Sequence, residues 1–269
     1  MTAQPDRMTW GFSSLGAPDL SLEELSGLAR QFELDFLELR AVRGTIALPD
    51  YFRDHPGELA VQSVPIRVLS TDLRLIEAND SDIAAFMRYV ELAETWQTPY
   101  LRVFGGGRWG DEISAEVFAR GVKTIERCRK LMTERGSSCE MLLETHSGFS
   151  SSRTCRDLNK RLAKPLGIIW DSHHTWKLAG ESLEESWEYI GPCIRHIHYK
   201  DSMPDSAAKD GYHYVLPGSG NFPTHELLNL LGRISYQGGF SLEWEKLWHP
   251  ELTDIPEALG GFRRTCFGK

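Results

Sequence analysis

The sequence has five cysteines, Cys128, Cys139, Cys155, Cys193 and Cys266, and none of them forms a CxxC pair. An odd set without that spacing reads as free thiols in a reducing cytoplasm. No run of about 18 apolar residues occurs, which excludes a transmembrane helix and sets a membrane partner aside. The opening residues MTAQPDRMTWGF lack the apolar stretch that a signal peptide needs. Positive charge is outnumbered: 30 Lys and Arg face 38 Asp and Glu, a net −8 with a pI near 5.6. Nucleic-acid recognition usually presents a basic face, so no nucleic-acid partner is expected. There is no internal linker, repeat or low-complexity segment, and no GxGxxG loop follows the first strand-like run. Residues 1–269 therefore read as one domain. What is present is ordinary for a globular chain with a sizeable core: 41% hydrophobic and 25% charged residues.

Apolar, strand-like runs alternate with amphipathic stretches from end to end. The eight strand candidates are 9–14, 35–40, 60–70, 100–106, 141–146, 167–172, 194–201 and 238–245. Helix-start signals fall between them. Ser21 with Glu24 makes a capping box. Ser81 or Asp80 caps a face of Ile83, Phe86, Val90 and Ala93, Ser114 opens a long helix that Gly136 closes, Ser182 pairs with Glu185, and Thr224 opens HELLNLLGR. Strands alternating with helices imply a parallel sheet with crossover connections. Eight units in this length close most economically as a (β/α)8 TIM barrel, with a doubly wound open sheet as the alternative.

Reactive groups of such a barrel collect at the C-terminal ends of the strands. MLLETHSG (141–148) places Glu144 at the end of an apolar run, and a buried carboxylate without a partner costs several kcal/mol. The next three strand candidates end on Asp171, His198 and Glu243. Three carboxylates and one imidazole at successive strand ends would converge on one divalent cation. That donor set suits Mn²⁺, Mg²⁺ or Co²⁺, with Zn²⁺ also compatible.

These positions lie in a recognisable series: LLETH (142–146), WDSHH (170–174), HIHYKD (196–201), LPGSG (216–220) and SLEWE (241–245). With that series the chain resembles the xylose-isomerase-like TIM-barrel superfamily, which holds sugar isomerases and epimerases together with an apurinic-endonuclease branch. The resemblance implies a divalent-metal enzyme, Mn²⁺ first among the candidate ions, with Glu144, Asp171, His198 and Glu243 as ligands. It also implies a substrate-contacting His174 and proton transfer by Glu144 and Glu243 from opposite faces of a carbohydrate or polyol. The endonuclease branch carries further histidines after its second and third strands. Here those ends read FLELRAVRG and AVQSVPIRVLSTD, which makes an abasic-site endonuclease, like a non-catalytic scaffold, a weaker alternative.

The chemistry expected is removal of a proton next to a carbonyl, giving an enediolate that a Lewis-acidic metal stabilises. Epimerisation, aldose–ketose isomerisation and β-elimination by a lyase or dehydratase share that step, and cyclic hydroxy-acids and keto-glycosides stay open as substrates. Lys200, two residues beyond His198, points into the mouth, where a substrate oxygen or a salt bridge to Glu245 or Asp201 would engage it. His146 follows Glu144 by two and is a second substrate-binding candidate; His213, Arg102 and Trp176 complete the set. Arg40 and Arg102 also read as partners for interior acids such as Glu38. LPGSG is too short for a clear phosphate loop, and a divalent ion with Glu144, Asp171 and Glu243 sums formally to about −1, which favours a neutral substrate over a sugar phosphate. The stretch after His198, YKDSMPDSAAKDGYHY, lacks the arginine usual in epimerases of free ketoses. Residues 246–265 are long enough to lid the pocket or to form a contact in a homo-oligomer.

Overall fold

The computed structural model describes residues 7–208 and 210–267. Eight parallel strands close into a barrel: β1 (Thr9–Ser13), β2 (Phe36–Leu39), β3 (Ile66–Arg74), β4 (Tyr100–Phe104), β5 (Glu140–Glu144), β6 (Gly167–Asp171), β7 (Ile194–Tyr199) and β10 (Gly239–Leu242), with β1 pairing both β2 and β10. A short antiparallel hairpin, β8 (Asp201–Pro204) and β9 (Tyr212–Val215), stands outside it, between the last two staves. The helices are α1 (Leu22–Gln31), α2 (Leu48–Asp54), α3 (Asp80–Trp96), α4 (Ala115–Arg135), α5 (Ser152–Asn159), α6 (Ser172–Lys177), α7 (Leu183–Ile190), α8 (Thr224–Arg233) and α9 (Ile255–Cys266). No helix among the described residues is long and apolar enough to cross a membrane.

Local chemistry sets most boundaries as expected. Ser21 accepts from the Glu24 amide while the Glu24 carboxylate accepts from Ser21, a complete capping box on α1. Ser114 caps α4, and Gly136 ends it at φ 77°, a conformation that favours glycine. Two start signals differ in detail, and Thr224 opens its helix as expected. Asn79, not Ser81 or Asp80, caps α3, because its amide oxygen reaches the Ser81 and Asp82 amides while Asp82 returns the bond. Ser182 caps α7, but Glu185 is drawn to Arg153 instead of closing a box. Thr224 is the first residue of α8, and its cap position is Pro223.

The third strand begins at Ile66, not at residue 60, because Pro56–Ala60 forms a 3-10 turn, and it runs on to Arg74. The core lies mainly between barrel and helices. Tyr199, Phe240 and Phe262 stack there, with Phe240 and Phe262 centroids 5.9 Å apart. Phe262 belongs to α9, so the second half of residues 246–265 is the barrel's last helix and packs against the core. The preceding segment contributes His249, Glu251 and Leu252 to the rim of the barrel mouth.

Candidate metal centre

Alternation along the strands selects which side chains enter the barrel. In β7 the inward residues are His196 and His198, and Lys200 continues the series past its end. Asp171 pairs with His198 in register, as does Ser241. Glu243 lies two beyond Ser241, and its amide still donates to Tyr199 O at 3.0 Å, so it keeps the inward phase. Glu144 closes β5. Ligand atoms from Glu144, Asp171, His198 and Glu243 all lie within 4.8 Å of one another, and all four side chains are buried.

Each ligand candidate is anchored from behind. Glu144 Oε2 accepts from Arg102 at 2.9 Å. Asp171 Oδ1 accepts from the His174 amide at 2.9 Å, capping α6. Glu243 Oε2 accepts from Lys200 Nζ at 2.6 Å. His198 Nε2 meets Glu38 Oε2 at 2.9 Å. The opposite atoms face inward: His198 Nδ1 lies 3.3 Å from Glu144 Oε1 and 3.4 Å from Glu243 Oε1. Glu144 Oε1 and His198 Nδ1 are buried without a hydrogen-bond partner, whereas Asp171 Oδ2 is in ion-pair contact with Lys200 Nζ at 2.9 Å and His174 Nδ1 at 3.0 Å. Buried polar atoms are nearly always satisfied, so an orphaned oxygen and nitrogen facing one spot fit a cation. The donor set, three carboxylates and an imidazole, matches that need.

The electrostatics favour ionised carboxylates at the centre and, until a cation displaces its proton, a charged His198. Burial raises the Glu243 carboxyl, but His198 and Lys200 outweigh it and hold it well below its ordinary range. Burial likewise opposes ionisation of Glu144, and Arg102 overcomes it. Burial lowers His198, yet Glu243 and Glu38 hold it well above the usual imidazole value. Burial, aided by the nearby charges of His174, Arg102 and Lys200, keeps His146 neutral, pushed down to about 4.

The remaining candidates divide. Lys200 is fully buried and bridges Asp171, Glu243 and Glu245, so its charge is shared among three carboxylates. Asp201 does not join them. It turns away and accepts from the Ser202, Gly218, Gly220 and Phe222 amides. LPGSG thus wraps an internal carboxylate, and a Cβ at Gly220 would sit 2.2 Å from Asp201 Oδ1. His146 and His174 lie edge to face, 5.1 Å apart, at the floor of a mouth cavity of about 1490 Å³. His213, on β9, is half exposed at the cavity rim beside Asp205. Trp176 packs against Phe222 and His173 and does not line that cavity. Arg40 pairs with Asp72 at 2.6 Å and Arg102 with Glu144; neither bonds Glu38. Glu38 is the residue the sequence reading undervalued. The signal was present, because Glu38 ends an inward run of β2 as Glu144 does in β5.

The fold has counterparts. The family model for xylose isomerase-like TIM barrels matches residues 62–265. No protein of curated function matches the sequence. Among solved structures, the probable 3-DHS dehydratase AsbF of Bacillus anthracis superposes with a TM-score of 0.77 at 19% identity, covering 95% of this chain and 98% of that one. The IolI protein with a bound zinc atom gives a TM-score of 0.77 at 18% identity over 96% of each chain. A D-psicose 3-epimerase in the presence of D-fructose gives 0.68 at 15% identity, over 97% and 100%. With a family match over most of its length and a closed eight-stranded barrel, the chain belongs to the xylose isomerase-like TIM-barrel family.

Proposed function

We propose that the protein is a divalent-metal-dependent isomerase or epimerase of a small hydroxyl-rich substrate, working by proton transfer next to a carbonyl. The observation that carries this is the inward convergence of Glu144, Asp171, His198 and Glu243, with Glu144 Oε1 and His198 Nδ1 buried and without a donor. A cation held there, Mn²⁺ by preference for this donor set, supplies Lewis acidity toward the oxygens beside the proton to be removed. Arg102 and Lys200 keep Glu144 and Glu243 ionised and oriented, so that one takes the proton from carbon and the other returns one. His174 and neutral His146 offer polar contacts to hydroxyls at the cavity floor. Four carboxylates, Glu144, Asp171, Glu243 and Glu245, pair with Arg102 or Lys200 and leave a formal −2, which a divalent ion brings to 0. That balance supports a neutral sugar or polyol over a sugar phosphate.

A second reading, elimination by a dehydratase, is favoured by one feature. The buried Lys200 ammonium beside Glu243 can protonate a departing hydroxyl. The test for both is solvent deuterium exchange into a panel of ketoses, keto-glycosides and cyclic hydroxy-acids with Mn²⁺ supplied. Exchange without loss of water supports the isomerase reading, and loss of water to an unsaturated product supports elimination. In either case Glu144→Gln or Glu243→Gln should lower turnover about 10²–10⁴-fold, the usual worth of a positioned acid or base. Full exchange in both variants, or in a chelated sample, would refute the site.

A further inference from the structure

We propose that Glu38 is the positioning residue of the centre: it fixes the tautomer of His198 and so turns the Nδ1 lone pair toward the cation. The inference rests on the metal-centre reading above and goes one layer deeper.

Ionised Glu38 only accepts hydrogen bonds, so His198 Nε2, 2.9 Å from its Oε2, must carry the proton. A cation at the centre requires His198 to be deprotonated at Nδ1, the atom that faces Glu144 Oε1 and Glu243 Oε1, and with Nε2 protonated the lone pair is confined to that atom. Glu38 is itself held. Ser70 Oγ donates to its Oε1 at 2.7 Å, while His196 Nε2 and Ser241 Oγ approach Oε2 at 3.2 and 3.3 Å. All five side chains are buried, so the carboxylate has little freedom to swing away.

Glu38, His196 and His198 also bring three donor atoms within 4.8 Å of one another, which on distance alone would make a second cation site. The hydrogen bonds argue against it. Both Glu38 oxygens are already engaged by N–H and O–H donors, and His198 cannot offer Nε2 to one ion while neutral and offering Nδ1 to another. The cluster is the support beneath a single ion. Metal-bound histidines usually donate their second ring N–H to such a partner.

The test is equilibrium dialysis with Mn²⁺ and Co²⁺, together with the visible absorption of the Co²⁺ form, on the wild type, Glu38→Gln and Glu38→Ala. Thermal melts in chelator check folding. The expected result is one ion per wild-type chain and a loss of about 10–100-fold in affinity in Glu38→Gln, with a shifted Co²⁺ band. Glu38→Ala should lose at least as much. The glutamine variant is near-isosteric and carries the test if the alanine variant does not fold. Unchanged affinity and spectrum in Glu38→Gln would overturn the role of Glu38 and leave the metal centre standing. Two ions in the wild type and one in Glu38→Ala would also overturn it, by making Glu38 a ligand. A wild type that binds no divalent ion would overturn the metal centre and this inference together.

Discussion

Lys200 offers the sharpest energetic test. Its ammonium is buried and touches Asp171, Glu243 and Glu245, the first two also fully enclosed. In Lys200→Met the stem volume stays nearly the same, so little of the effect is cavity formation. What changes is charge: two buried carboxylates lose their common cation. Breaking a buried ion pair from one side costs about 3–5 kcal/mol, because the abandoned charge remains in a poorly solvated site. For a chain of this size each kcal/mol lowers Tm by about 2 °C, giving a drop of roughly 6–10 °C in chelator. The same substitution leaves the cation site more negative. A saturating divalent ion should therefore raise the Tm of Lys200→Met more than that of the wild type and narrow the gap between them. The assay is differential scanning calorimetry of both proteins with chelator and with Mn²⁺. A drop under about 2 °C in chelator, or a gap that metal leaves untouched, would refute the claim that Lys200 neutralises the ligand carboxylates.

Two further outcomes follow from the layers around the centre. Asp201→Ala deprives the Gly218, Gly220 and Phe222 amides of their acceptor, and should lower unfolding free energy by at least about 2–4 kcal/mol in urea titrations while leaving cation affinity near wild type. Burial holds His196 down to about 4 against an ordinary 6.5. The unfolded chain then binds a proton that the folded chain refuses, so stability falls as pH drops through that window. The loss reaches about 3 kcal/mol from this group, and chelated His196→Gln should show a shallower acid slope in denaturant titrations between pH 4 and 6.5.

The alternation of apolar runs with capped amphipathic stretches was enough to specify the barrel, since helix caps and two-residue alternation are written in neighbouring residues. Ser21 with Glu24 and Ser114 with Gly136 show this directly. The placement of Glu144, Asp171, His198 and Glu243 at four strand ends was legible for the same reason: barrel closure turns equal strand phase into a common centre. The partners of those residues were not legible. Arg102 pairs with Glu144, not Glu38, and Glu38 reaches across the barrel to His198, 160 positions away in sequence. Asp201 withdraws from Lys200 because the 218–222 loop folds over and supplies four amide donors together with Ser202. Such contacts depend on the stagger of the staves and on loop closure, which no local pattern encodes. The sequence by itself determined which side chains face inward, and tertiary structure decided which charge each one meets.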